Sequence, residues 1–129
     1  MAKFKLAYEE SGDSKPRSHE RETAELLAQH FQSNLIFMRR SSSKTPDLYV
    51  LKTNIRWELK SPTGGGKHTV QNNLREASKQ SENIILDLTR SKMTDTQGAS
   101  RAKEFISNEK SRIKRLKVLK KDGAIIDIK

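Results

Sequence analysis

The sequence predicts a single α+β domain in which three helices flank a mixed sheet, with elements in the order α-β-β-β-α-β-α-β-β. Three observations lead there. The 129 residues suit one domain of about 100–150 residues. Three stretches repeat apolar residues at the spacing of one helical face. Between and after them lie short apolar or alternating runs, the pattern of strands. Only 33% of the residues are hydrophobic, so the core is small, though a chain of this length can bury one.

Residues 1–17 are polar and carry Gly12, Ser14 and Pro16; they read as an N-terminal arm or a short edge element, leaving 18–129 as the folded domain. Ser18 is placed as an N-cap with Glu20 and Glu22 in the first turn, where carboxylates meet the positive end of the helix dipole. Ala24, Leu27, Ala28 and Phe31 then give a helix over 19–31. Residues 34–38 and 47–51 are strand-type runs separated by a break that ends at Pro46. After a turn at Thr53-Asn54, Ile55, Trp57 and Leu59 alternate with Arg56, Glu58 and Lys60. That is a half-buried strand with one polar face, and Trp57 belongs on its core side.

Gly64, Gly65 and Gly66 mark a flexible loop, and Thr69 can cap a helix over 70–81 with Val70, Leu74 and Ala77 on one face. Residues 83–88 form a buried strand, and a third helix over 99–111 buries Ala102, Phe105 and Ile106. Runs at 113–119 and 124–128 flank Asp122-Gly123, a strong hairpin turn signal. A β-α-β crossover around the second helix makes the sheet mixed.

Twenty-six Lys and Arg against sixteen Asp and Glu give a formal net charge of +10. The excess is uneven: residues 1–33 carry five basic and six acidic side chains, so it lies wholly after residue 33. Residues 110–121 hold Lys110, Arg112, Lys114, Arg115, Lys117, Lys120 and Lys121 with no acid among them. Arg39, Arg40 and Lys44 surround three serines. Such surfaces suit a polyanion, because bound phosphates release counterions. With no cysteine, disulfide frameworks, cysteine-based zinc sites and thiol catalysis are excluded. No apolar stretch approaches the roughly 18 residues of a membrane span, and no signal-peptide core follows Met1. The consecutive glycines before Lys67 lack the spacing of a nucleotide-binding P-loop.

Glu58 and Lys60 stand two apart on one strand and share a face. If the strands before and after Thr53-Asn54 pair as a hairpin, Asp47 can lie near them. Paired carboxylates can hold a hard divalent cation, and a neighbouring lysine can stabilise charge on phosphorus. Pro46-Asp47, ten residues, then Glu58-Leu59-Lys60 resembles the PD-(D/E)xK nuclease signature, as does the order α-β-β-β-α-β. Thr45-Pro-Asp, Trp57 through Pro62, the glycine loop, Thr69, Ala77, Gln80-Ser81, the run 83–87 and a terminal Asp-Gly-x-x-Ile-Asp are more specific. Over residues 18–129 they are similar to the C-terminal tRNase toxin domain of CdiA-type contact-dependent growth inhibition proteins.

That resemblance implies a nuclease toxin domain at the end of a larger secreted or surface-delivered effector, acting in the target-cell cytoplasm. It implies tRNA as substrate and a cognate immunity protein as inhibitor; a translation elongation factor is a further candidate partner, and no membrane association of the domain itself is expected. Two mechanisms stay open. One uses a divalent cation, Mg or Zn, on Asp47 and Glu58. The other, that of barnase/EndoU/colicin/RelE-like toxins, uses no metal: the RNA 2′-hydroxyl attacks, with His19, His68, Glu58, Lys60, Ser61 and Thr69 as the available acids, bases and phosphate contacts. Glu58 and Lys60 serve both, so the catalytic set is Glu58, Lys60, Asp47 and Thr69. Lys67, His68, Arg39, Arg40, Lys114, Arg115 and Lys117 are the substrate-binding set. Asp87 is left outside the metal set. A non-catalytic nucleic-acid-binding module and a metal-dependent DNase are the alternatives.

Overall fold

The computed structural model describes residue 4 and residues 6–8, 18–38, 47–108 and 112–129. The elements are β1 (Leu6–Tyr8), α1 (Ser18–Phe31), β2 (Leu35–Met38), β3 (Asp47–Val50), β4 (Ile55–Lys60), α2 (Thr69–Ser78), β5 (Asn83–Asp87), α3 (Asp95–Asn108), β6 (Arg115–Leu119) and β7 (Ile125–Asp127). The α+β class and the predicted order hold, with β1 added at the front as a short strand. Two compact units divide at Trp57/Glu58.

In the first unit β1 runs parallel to β2 and β2 antiparallel to β3, and α1 packs on all three strands. The helical spacing of Ala24, Leu27 and Ala28 is what buries them, together with Leu35, Phe37, Leu48 and Val50. Leu35 and Phe37 stand opposite Val50 and Leu48 in the ladder, so one face of the hairpin is wholly apolar. Trp57 joins this core at 2% exposure, its ring 5.4 Å from Phe31, as its alternation predicts. The helix ends at Gln32, whose φ is 53°. Its N–H reaches the Gln29 carbonyl and the Ser33 N–H reaches Ala28, a left-handed C-terminal cap made without glycine.

In the second unit β4, β5 and β6 are parallel neighbours and β7 returns antiparallel. The crossover β4-α2-β5 is therefore present. Val70, Leu74 and Ala77 of α2 pack with Ile84, Leu86, Leu88, Leu116 and Val118 and with Ala102 and Phe105 of α3. Burying each large side chain contributes about 1.5–3 kcal/mol. Gly123 turns the last hairpin at φ 90°, and the Ala124 N–H bonds the Asp122 carboxylate at 2.9 Å.

Ser18 and Thr69, read as caps, are each the first residue of their helix, and two helix boundaries differ from the periodicity by more than one residue. The second helix stops at Ser78, because Lys79, Gln80 and Ser81 turn their N–H groups back onto Glu76 and Ala77. The third begins at Asp95, four residues early, because Thr94 and Gln97 form a reciprocal capping box. The Gln97 N–H donates to Thr94 Oγ1 at 3.1 Å, and the Thr94 N–H to Gln97 Oε1 at 3.2 Å. Replacing Thr94 by Ala is expected to cost about 1 kcal/mol. Urea unfolding should show a lower midpoint at unchanged slope, and an unmoved midpoint would remove the box from the stability of α3.

Candidate active site

Glu58 and Lys60 lie on a buried face. In the parallel ladder Glu58 stands beside Ile84 and Lys60 beside Leu86, so both side chains share the face that carries the core under α2. Glu58 is 1% exposed and Lys60 4%. The polar face is thus buried where alternation suggested a half-buried strand, because a helix covers it. Burying a charge is costly unless it is paired, and the Lys60 ammonium reaches the Glu76 carboxylate of α2 at 3.3 Å. Glu76 is 68% exposed and the Lys60 side chain 4%, so the pair joins a buried ammonium to a carboxylate at the surface. Sequence reasoning missed Glu76; the signal was a carboxylate on the helix that the crossover folds back over β4.

Ser61 turns to the opposite face. Its hydroxyl donates to Asp87 at 3.1 Å, and Asp87, fully buried, also accepts the Thr89 N–H at 2.9 Å and the Thr89 hydroxyl at 2.6 Å. Asp87 is a satisfied structural carboxylate that holds Ser61 away from Glu58 and Lys60. In the first unit Asp47 begins β3, and Arg56 Nε approaches its carboxylate at 3.8 Å. Among the described residues no group of three or more His, Cys, Asp or Glu is arranged to hold a metal. His19 sits in the first turn of α1, half-buried.

The glycine loop is tethered, against the expectation of a free one. Gly64 accepts the Ser91 hydroxyl at 2.8 Å, Thr63 accepts the Lys92 N–H at 3.2 Å, and Gly66 accepts Arg101 Nη1 at 3.0 Å. A Cβ on Gly65 would lie 2.9 Å from that of Lys92, so the absence of a side chain is what lets the two loops touch. Thr69 is the first residue of α2 rather than its cap: His68 holds the cap position and makes no side-chain capping bond. The Thr69 N–H closes onto the Gly66 carbonyl at 3.1 Å.

Residues 44–125, from the stretch before β3 to the start of β7, match the contact-dependent growth inhibition CdiA C-terminal domain. The chain belongs to that family. Asp47, Glu58, Lys60, Thr69, Lys114, Arg115 and Lys117 all fall inside the matched stretch. Among solved structures this CdiA C-terminal domain is similar to one described as a CdiA-CT/CdiI toxin and immunity complex from Burkholderia pseudomallei. The TM-score is 0.63 at 16% identity, covering 97% of this chain and 98% of that one. At that identity the likeness shows a shared fold. No curated protein matches.

The basic run of this CdiA domain is not one solvated face. Lys114 pairs with Glu82 at 3.4 Å, Arg115 donates to Asn83 at 3.0 Å, and Lys117 meets Asp127 at 2.6 Å with its side chain 14% exposed. Lys121 donates to the Leu88 carbonyl at 2.8 Å and to the Ser91 carbonyl. Four cations of the run, Lys114, Arg115, Lys117 and Lys121, are thus bonded to neighbours. Arg39, Arg40, Lys44 and Lys110 lie outside the described residues. Lys67 and His68 are exposed in the tethered loop. No helix among the described residues is long and apolar enough to cross a membrane.

Proposed function

We propose that this domain is an RNA endonuclease, a tRNA-cleaving antibacterial toxin silenced by a cognate immunity protein. The observation that carries the reading is the pair Glu58 and Lys60, side by side on one buried face of β4 in a CdiA C-terminal domain, with the Lys60 ammonium paired to Glu76 of α2. Delivery as the tail of a larger surface effector and action in the target-cell cytoplasm belong to the same reading. So does the immunity partner, which the structural neighbour's description names for that protein.

Cleavage is an in-line displacement at phosphorus. A nucleophile, the ribose 2′-hydroxyl or a water, loses its proton to Glu58 as its oxygen bonds phosphorus; the 5′-oxygen leaves and takes up a proton. Lys60 faces the charge that develops on the phosphoryl oxygens, where a preorganised cation lowers the barrier. Thr69 and Lys67, at the start of α2 and just before it, contact phosphate. Glu58, nominated for a divalent cation, is a hard oxygen donor of the kind Mg accepts with water completing the shell. Such an ion would supply an acidified water.

Incubating the purified domain with total tRNA and with plasmid, each with and without EDTA, tests this. Cut tRNA beside intact plasmid is the expected result, and the EDTA lanes read out the role of a cation. Nicked plasmid with intact tRNA would make the domain a DNase. Bound but uncut tRNA, even after addition of a cell extract to supply an elongation factor, would make it a binding module.

A further inference from the structure

A second group of cations, apart from the basic run, gathers on two loops. Parallel β4, β5 and β6 end on the same side, and the loops 61–68 and 88–94 leave the ends of β4 and β5 there. Bonds from Ser91 to Gly64 and from Lys92 to Thr63 fasten these loops together, and the near contact of Gly65 with Lys92 brings Lys92 two residues from Lys67. The turn carrying Arg90 is held from below by Lys121, which donates to the carbonyls of Leu88 and Ser91. Lys67, His68, Arg90 and Lys92 are all exposed. Among the described residues none of them has a carboxylate partner, whereas Lys114 and Lys117 are ion-paired.

This difference separates the loop cations from Lys114 and Lys117 of the run. A cation already paired must give up its partner before it gains a phosphate, while an unpaired one only sheds its counterions. The carboxyl ends of parallel strands are also where open α/β sheets place ligands, and Lys60 ends β4 at that edge. We propose that Arg90 and Lys92, with Lys67 and His68, form the surface that grips the RNA backbone beside the Glu58/Lys60 centre. Lys121 acts as a positioning residue for the turn. The proposal rests on the RNA reading above and names the surface that holds its substrate.

Fluorescence anisotropy with total tRNA as probe tests it, with wild type and the variants carried in the Glu58→Gln background so that binding is read without cleavage. Arg90→Ala with Lys92→Ala is expected to weaken binding about tenfold and to flatten the salt dependence by roughly one to two units of slope, as loss of two phosphate contacts requires. The urea midpoint should stay within error, since both side chains are exposed. Equal binding by this double variant and its parent overturns the proposal. So does weakening seen only in Lys114→Ala with Arg115→Ala, which would return the role to the basic run. A parent that binds no tRNA overturns the RNA reading and this surface together. A wild-type domain that binds through Arg90 and Lys92 yet cuts nothing keeps the surface and removes the nuclease.

Discussion

Glu58→Gln should lower tRNA cleavage by about 10²–10⁴-fold, the range for removing a general acid or base, while the domain stays folded. The substitution keeps the shape of the side chain and removes its ability to take a proton. Lys60→Met should act in the same direction, because it keeps the buried stem and deletes the charge proposed to face the phosphate. The two readings of this pair differ in what they move. A merely structural Glu58 would change the urea midpoint and leave cleavage alone; a catalytic one does the reverse. Rate assays on tRNA and growth inhibition in cells lacking an immunity protein give the measure. If both variants cut at the wild-type rate with folding intact, the assignment of the centre is wrong.

Gly98→Val should be the most destabilising of the changes proposed here, by about 1–3 kcal/mol from overpacking. Replacing a helical glycine ordinarily stabilises, by up to about 1 kcal/mol for alanine, so the expected sign reverses the usual one. The reason lies in Leu88. A Cβ at position 98 would fall 2.3 Å from Leu88 Cδ1, 3.1 Å from Cδ2 and 3.3 Å from Cγ, and Leu88 is fully buried among the core of the second unit. Rotating one methyl cannot relieve three contacts at once. Gly98→Ala tests the same contact with less bulk. A midpoint in urea higher than wild type for the alanine variant would show that Leu88 yields, and the close approach would then not explain the glycine.

How much could be read beforehand depended on how local each cause was. The strand Ile55–Lys60 was legible to the residue, because alternation and a following proline are properties of neighbours. The hairpin at Asp122-Gly123 was legible for the same reason: its left-handed glycine is set by the turn itself. The start of α3 is encoded in Thr94-x-x-Gln97, a polar capping signal that apolar spacing does not register. The end of α1 was harder, since Gln32 takes the left-handed conformation where glycine is the usual signal. In the site, Glu58 and Lys60 stood out by type and spacing. Glu76, Arg90 and Lys92 did not, because nothing adjacent to them in the chain marks them.

The sequence by itself determined the order of elements, the sharing of one face by Glu58 and Lys60, and a positive excess confined to the chain after residue 33. These follow from side-chain period, turn chemistry and composition. Only the tertiary structure decided that α2 buries that face, that Lys60 finds Glu76 sixteen residues away, that Arg101 ties down the glycine loop from thirty-five, and that most of the basic run is already engaged. Each of these is a contact between residues distant in the chain. A charge pattern states how many cations there are; which of them stay available for a phosphate is settled by the carboxylates and carbonyls that the fold brings beside them.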